Sequence, residues 1–240
     1  MSVSRASGTA PRRGAFFDVD ETVIAAKSML EFWRYWTVWS GGGWSRYRAG
    51  LEGLDALVRR GVPRSEVNRA YFRLFAGASR AETESAGRAW YAGYRRRPAA
   101  FVAATAAALE GHRRAGDAVV LVSGSFAACL APLADDLGAD RLLCTEPVVA
   151  RDGLLTGEVR RPMIGAAKAE AVAATVAQLG LDAAECFCYA DHASDLPMLR
   201  AVGHPRVVGR DAVLLARARE GRWPVLPAGV HGKDRAAGGR

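Results

Sequence analysis

The sequence predicts an α/β fold: a largely parallel sheet with helices on both faces, interrupted early by a long helical insert. Three observations predict it. Short apolar runs stop at polar residues in 14–20, 118–125 and 186–195. Helical segments alternate with strand-like ones after Gly116. Between Lys27 and about Gly116 the apolar residues recur at helical spacing instead. Alternating strands and helices pair in parallel, and such a sheet needs cover on both faces.

In chain order, Gly14-Ala-Phe-Phe-Asp-Val-Asp20 is a buried strand stopped at carboxylates. Phe32, Tyr35, Trp36 and Trp39 then lie at helical spacing before the Gly41-Gly42-Gly43 break. Leu51, Leu54, Leu57 and Val58 mark a second helix stopped at Gly61 and Pro63, Ser65 opens a third, and a helix through Trp90, Tyr91 and Tyr94 ends before Pro98. The tryptophans of this insert (Trp33, Trp36, Trp39, Trp44, Trp90) are expected to form its own core. Strands follow at 118–122 and 141–149, with a helix at 126–137 between them. Arg151-Asp152-Gly153 reads as a hairpin turn. An alanine-rich helix at 166–179, a strand at 186–190, a short helix at 196–202 and a last strand at 205–208 complete the series.

This divides the chain into a basic, disordered tail at 1–13, a core formed by 14–27 and 116–227, a helical cap at 28–115, and a flexible tail at 228–240. With 240 residues, half of them hydrophobic, the chain can bury a core and is neither disordered nor a small disulfide scaffold. The four cysteines have no paired C-x-x-C spacing, so buried thiols in a reducing, cytoplasmic setting are expected. Of the net +8, the two tails hold five charges, which argues against a basic nucleic-acid groove. The longest uncharged stretch, 118–134, is broken by Ser123, Gly124, Ser125 and Pro132 and is short of the ~20 apolar residues a bilayer needs.

Three strand-like segments end in chemically capable residues: Asp18-Val19-Asp20-Glu21-Thr22, Ser123-Gly124-Ser125 and Asp191-His192-Ala193-Ser194-Asp195. Open parallel sheets bind ligands beyond the carboxyl ends of their strands, so the three should converge. Phe17-Asp18-Val19-Asp20-Glu21-Thr22 resembles the first motif of the haloacid dehalogenase superfamily of phosphatases, D-x-D-G-T. Ser123 resembles the second motif, Lys168 the third, and Asp191 with Asp195 the fourth. The helical insert between motifs one and two, with Gly153-Leu-Leu-Thr-Gly157 ahead of the lysine, is similar to the phosphoserine-phosphatase-like branch, subfamily IB.

The resemblance implies a Rossmann-like core with a helical cap and a Mg²⁺-dependent phosphomonoester hydrolase. It implies Asp18 as the nucleophile that becomes an aspartyl-phosphate, and Asp20 as the acid and base. Lys168 would offset the repulsion between Asp18 and the phosphoryl group, and Ser123 and the Gly124 N–H would hold the phosphoryl oxygens. Asp18, the Asp20 backbone carbonyl and Asp191 would hold the metal, and Asp195 would orient a metal-bound water or Lys168. The expected partner is a small phosphomonoester, with no nucleic acid, no membrane span and a possible homodimer.

Two positions depart from the pattern. Glu21 stands where the motif usually has glycine. Lys27 stands nine residues after Asp18, where relatives that cleave phosphoserine carry an acid, so an anionic phosphometabolite is expected instead. The rival readings are a phosphotransferase using the same intermediate, a metal-free dehalogenase (disfavoured by Asp20 and Asp191), and a basic nucleic-acid-binding module without catalysis.

Overall fold

The computed structural model describes residues 13–229. The expectations for the two termini fall almost wholly outside those residues. The elements in order are β1 (Gly14–Asp18), α1 (Ser28–Trp39), α2 (Gly43–Arg59), α3 (Arg64–Arg73), α4 (Arg80–Tyr94), α5 (Ala103–Ala115), β2 (Ala118–Ser123), α6 (Ala127–Leu137) and β3 (Arg141–Cys144). They continue as β4 (Pro147–Val149), β5 (Leu155–Val159), α7 (Ala166–Leu179), β6 (Phe187–Ala190), α8 (Leu196–Leu199), β7 (His204–Val208), α9 (Ala212–Gly221) and β8 (Val225–Leu226).

Six strands form one parallel sheet in the order β3-β2-β1-β6-β7-β8. The chain first steps from β1 to β2 and β3 on one side, then returns to β6, β7 and β8 on the other. That reversal leaves a crevice at the carboxyl end of β1, where an open α/β sheet binds ligands. β1 and β2 are buried along their whole length because both their faces are covered.

Side chains alternate between the faces. Ala15, Phe17, Val119, Leu121 and Tyr189 join a cluster with α5, α6 and the aromatic insert, while Phe16, Val120, Val122, Cys188 and Ala190 join one with α7, α8 and α9. Cys186 and Cys188 share the second face, as their two-residue spacing predicts, and all four cysteines are free thiols. Although α5 belongs by periodicity to the insert, it lies against the sheet: the Thr105 hydroxyl donates to the Thr22 carbonyl (2.5 Å), and the Phe17 and His112 rings meet at 6.1 Å.

Several expectations need correction. The single strand expected at 141–149 is two strands in different sheets: β3 ends at Cys144, and β4 pairs antiparallel with β5. Pro147 has no N–H to continue a ladder, and Thr145 turns away to donate its N–H to the Ser125 carbonyl. The hairpin turn at Arg151-Asp152-Gly153 is present, with Gly153 at φ +84°. The strand at 205–208 is not the last, since α9 and the two-residue β8 follow; β8 is too short to show a period. Trp33, Trp36 and Trp90 are core residues as expected, but Trp39 and Trp44 are not: they are 47% and 54% exposed.

Candidate active site

The three expected segments meet because β2, β1 and β6 are neighbours and all end on the same edge. Asp18 is the last residue of β1, Ser123 the last of β2, and Asp191 follows β6 directly. Lys168 arrives from the opposite side, in the first turn of α7. Gly165 precedes that helix at φ +58°, a conformation that suits glycine, and Cα–Cβ bonds on a helix lean toward its N-terminus. The lysine is therefore directed back at the strand ends.

Its ammonium donates to Asp18 Oδ1 at 2.5 Å and to Asp195 Oδ2 at 2.9 Å, with all three side chains buried. Asp18, Asp191 and Asp195 each offer an oxygen, and these oxygens lie within 4.8 Å of one another. Thr22 steadies the group by donating its hydroxyl to Asp191 Oδ1 at 3.2 Å.

The electrostatics follow from crowding. Burial raises the Asp18 carboxyl above its ordinary value, against the pull of Lys168. Burial, then the Asp18 charge, pushes Asp191 up to about 8. Burial works against the Lys168 ammonium, but Asp18 and Asp195 outweigh it and hold the lysine above its usual range. Three acids share one ammonium, which bonds only Asp18 and Asp195, so all three can be ionised together only if further positive charge is supplied. That imbalance and an all-oxygen donor set fit a hard divalent cation.

Asp20 stands apart from this acidic group. Its Oδ1 accepts the Ser28 N–H at 3.0 Å, so the carboxyl caps the start of α1 in place of Lys27, whose side chain makes no capping bond. Burial pushes Asp20 up to about 7, where a carboxyl can give and take a proton near neutral pH. Glu21, the departure from the motif, has φ +60°, one of three non-glycine residues with positive φ among the described residues. The usual glycine thus has a backbone reason, and here glutamate adopts the same conformation.

Ser123 is buried, and its hydroxyl accepts the Ser125 N–H at 3.1 Å. The Gly124 carbonyl is held from two sides at 2.8 Å, by Thr145 of the core and by Asn68 of α3. A Cβ on Gly124 would stand 2.6 Å from Ile164 Cδ1, so the loop admits no side chain without a shift. Lys27 is 58% exposed and forms an ion pair with Glu21 at 3.3 Å. The structure thus brings together Asp18, Lys168, Asp191 and Asp195. Asp20, Ser123 and Gly124 stand beside them, and Lys27 stands at the rim.

Thr22, Asn68 and Thr145 are additions. Thr22 lay inside the first motif and was readable there. Asn68 and Thr145 carry no local signal, because their partners are more than 20 residues away.

The sequence model of the haloacid dehalogenase-like hydrolases matches residues 15–200. A Streptomyces azureus protein, "Inhibition of morphological differentiation protein", is 36% identical over 90% of this chain and 78% of its own. A Mycobacterium tuberculosis protein described as a "probable phosphatase" is 34% identical over 91% of this chain and 77% of its own. Among solved structures, a Bordetella pertussis protein of unknown function has a TM-score of 0.78 at 25% identity, covering 90% of this chain and 98% of that one. A substrate-bound phosphoserine phosphatase has a TM-score of 0.64 at 17% identity, covering 91% and 94%, which is a likeness of fold. The chain belongs to the haloacid dehalogenase-like hydrolase family. It is an enzyme with the parallel sheet that the motifs implied. No helix among the described residues is long and apolar enough to cross a membrane.

Proposed function

We propose that the protein is a Mg²⁺-dependent phosphomonoesterase acting on a small phosphorylated metabolite through an aspartyl-phosphate. The observation that carries this reading is the buried Asp18–Lys168–Asp195 bridge, in which a lysine of α7 joins the end of β1 to the turn that follows the adjacent β6. Such a bridge keeps a carboxylate fixed and partly neutralised, as a nucleophile approaching an anion requires.

In the first step an Asp18 oxygen bonds to phosphorus and the ester P–O bond breaks. Asp20 gives its proton to the leaving oxygen. Asp20 then takes a proton from water as that water attacks the phosphorus, which releases phosphate and restores Asp18. Lys168 offsets the repulsion between Asp18 and the phosphoryl group, and Asp195 holds Lys168 in position. The Ser123 hydroxyl, the Gly124 N–H and the first amides of α6 receive the phosphoryl oxygens. Asp18, the Asp20 backbone carbonyl and Asp191 would hold the Mg²⁺, which when bound supplies positive charge against the doubly negative ester.

In this reading the cap comprises α1–α4, closes over the crevice and restricts it to small substrates. Asn68 ties the cap to the phosphate loop through the Gly124 carbonyl. A preference for anionic substrates depends on Lys27 exchanging its Glu21 partner for the substrate.

The test is phosphate release from a panel of small monoesters, with and without Mg²⁺. Asp18→Asn should lower the rate at least about a thousandfold, as loss of a nucleophile does. Acid quench of the wild type should leave phosphate on Asp18. Turnover that survives Asp18→Asn sinks the proposal. In the same panel Lys27→Glu should shift the preference away from anionic esters, and an unchanged ranking removes Lys27 from the site.

A further inference from the structure

Eight large hydrophobic residues are exposed among the described residues, and three of them, Val38, Trp39 and Trp44, fall within seven positions at the α1–α2 turn. The other two tryptophans of α1, Trp33 and Trp36, face the core. Trp39 stacks on Tyr35 (centroids 5.9 Å apart), Trp44 meets Tyr47 edge-on at 5.5 Å, and the Arg34 guanidinium sits over the Trp44 ring at 5.4 Å. The exposed rings are thus held in place, rather than left loose by a failure of packing.

The turn between them is open. Gly41 and Gly43 have φ of +75° and +62°, and nothing lies within 4 Å of a Cβ placed on either. From residue 32 to residue 51 the chain has Arg34, Arg46 and Arg48 and no acid, and all three arginines are exposed.

Exposed tryptophans on a glycine turn, with three exposed arginines and no acid between Glu31 and Glu52, match the interface of a negatively charged bilayer. The indole is apolar with one N–H and settles at the headgroup level, while guanidinium groups pair with lipid phosphates. We propose that the α1–α2 tip docks the protein on an anionic membrane surface, with Trp39 and Trp44 entering the headgroup layer and Arg34 and Arg48 meeting lipid phosphates. α1 begins at the Ser28 N–H held by Asp20 and is about 18 Å long at 1.5 Å per residue, so one helix joins the tip to the catalytic edge.

The full chain should co-sediment with vesicles of phosphatidylcholine mixed with phosphatidylglycerol, and much less with phosphatidylcholine alone. Tryptophan emission should shift to the blue on binding, and high salt should release the protein. Trp39→Ala/Trp44→Ala should weaken binding about tenfold or more per tryptophan, with its melting temperature and its turnover of a soluble ester unchanged. Three results overturn the proposal. One is no binding to the anionic vesicles. Another is binding that the double substitution leaves intact, which assigns it to the basic termini. The third is a concentration-dependent dimer that the double substitution abolishes, which makes the tip a contact with a second copy. Turnover measured without vesicles reports on the catalytic site separately.

Discussion

The two faces of the sheet are covered by different material. On one face Phe17, Tyr189 and Leu121 are continuous with Phe32, Phe75, Phe126 and Trp90, so the sheet and the insert share one aromatic cluster. Phe75 touches the rings of Phe32, Trp33, Trp36, Tyr71 and Phe126. On the other face Phe16 lies among valines, cysteines and methionine beneath α7, α8 and α9. The difference teaches where the protein can adjust. Stacked, tilted and edge-on rings lock the insert to one face of the sheet, whereas the aliphatic cluster on the other face packs beneath α7, the helix that carries Lys168.

Four measurements break or sharpen that contrast. Phe75→Ala should cost about 3–5 kcal/mol of stability and raise KM, because the rings that seat α1, α3 and α6 lose their common neighbour. Leu214→Ala, buried on the other face, should cost about 2–5 kcal/mol and leave KM unchanged. Equal KM effects in the two variants, by steady-state kinetics and chemical denaturation, would erase the distinction.

Mg²⁺ at a hundredfold over its Kd should stabilise the native state by about 2.7 kcal/mol, read as a rise in Tm that Asp191→Asn removes. The basis is the excess of carboxylates around Lys168. An unchanged Tm would mean that the acids balance without a cation.

Gly87→Ala probes the seam between α4 and α6. An added Cβ would stand 1.7 Å from the Ala128 carbonyl oxygen, so the helices must separate. A loss of about 1–3 kcal/mol is expected in thermal unfolding.

The smallest effect is at Glu21→Gly. Relief of the φ +60° conformation should outweigh the lost pair with Lys27, which joins an exposed lysine to a partly exposed glutamate and is worth about 0–1 kcal/mol. The expected result is a gain of between zero and about 1 kcal/mol. A clear loss in the denaturation midpoint would give the Glu21–Lys27 pair a structural role.

Much of the architecture was readable because its signals are local. An apolar run that ends at Asp18 or Ser123 marks a strand that stops at the sheet edge, and α7 follows from its alanine-rich periodicity. The sharing of α5 with the sheet was not readable, because its 3.6-residue period is the same whichever surface it covers. The split at Pro147 was visible as a proline, but not as a change of sheet. The exposure of Trp39 and Trp44 was hidden because composition alone cannot separate a core ring from a surface one.

The sequence by itself determined the order of the chemistry: which residues end strands, which lysine opens a helix and where the insert begins. Each depends on a pattern within a few residues. Only the tertiary structure decided that Lys168 bridges Asp18 and Asp195, that Asp20 turns to the start of α1, that Lys27 pairs with Glu21, and that the α1–α2 tip faces outward. Those outcomes depend on distances between segments as many as 150 positions apart. Packing of the whole chain sets such distances, and no local propensity encodes them.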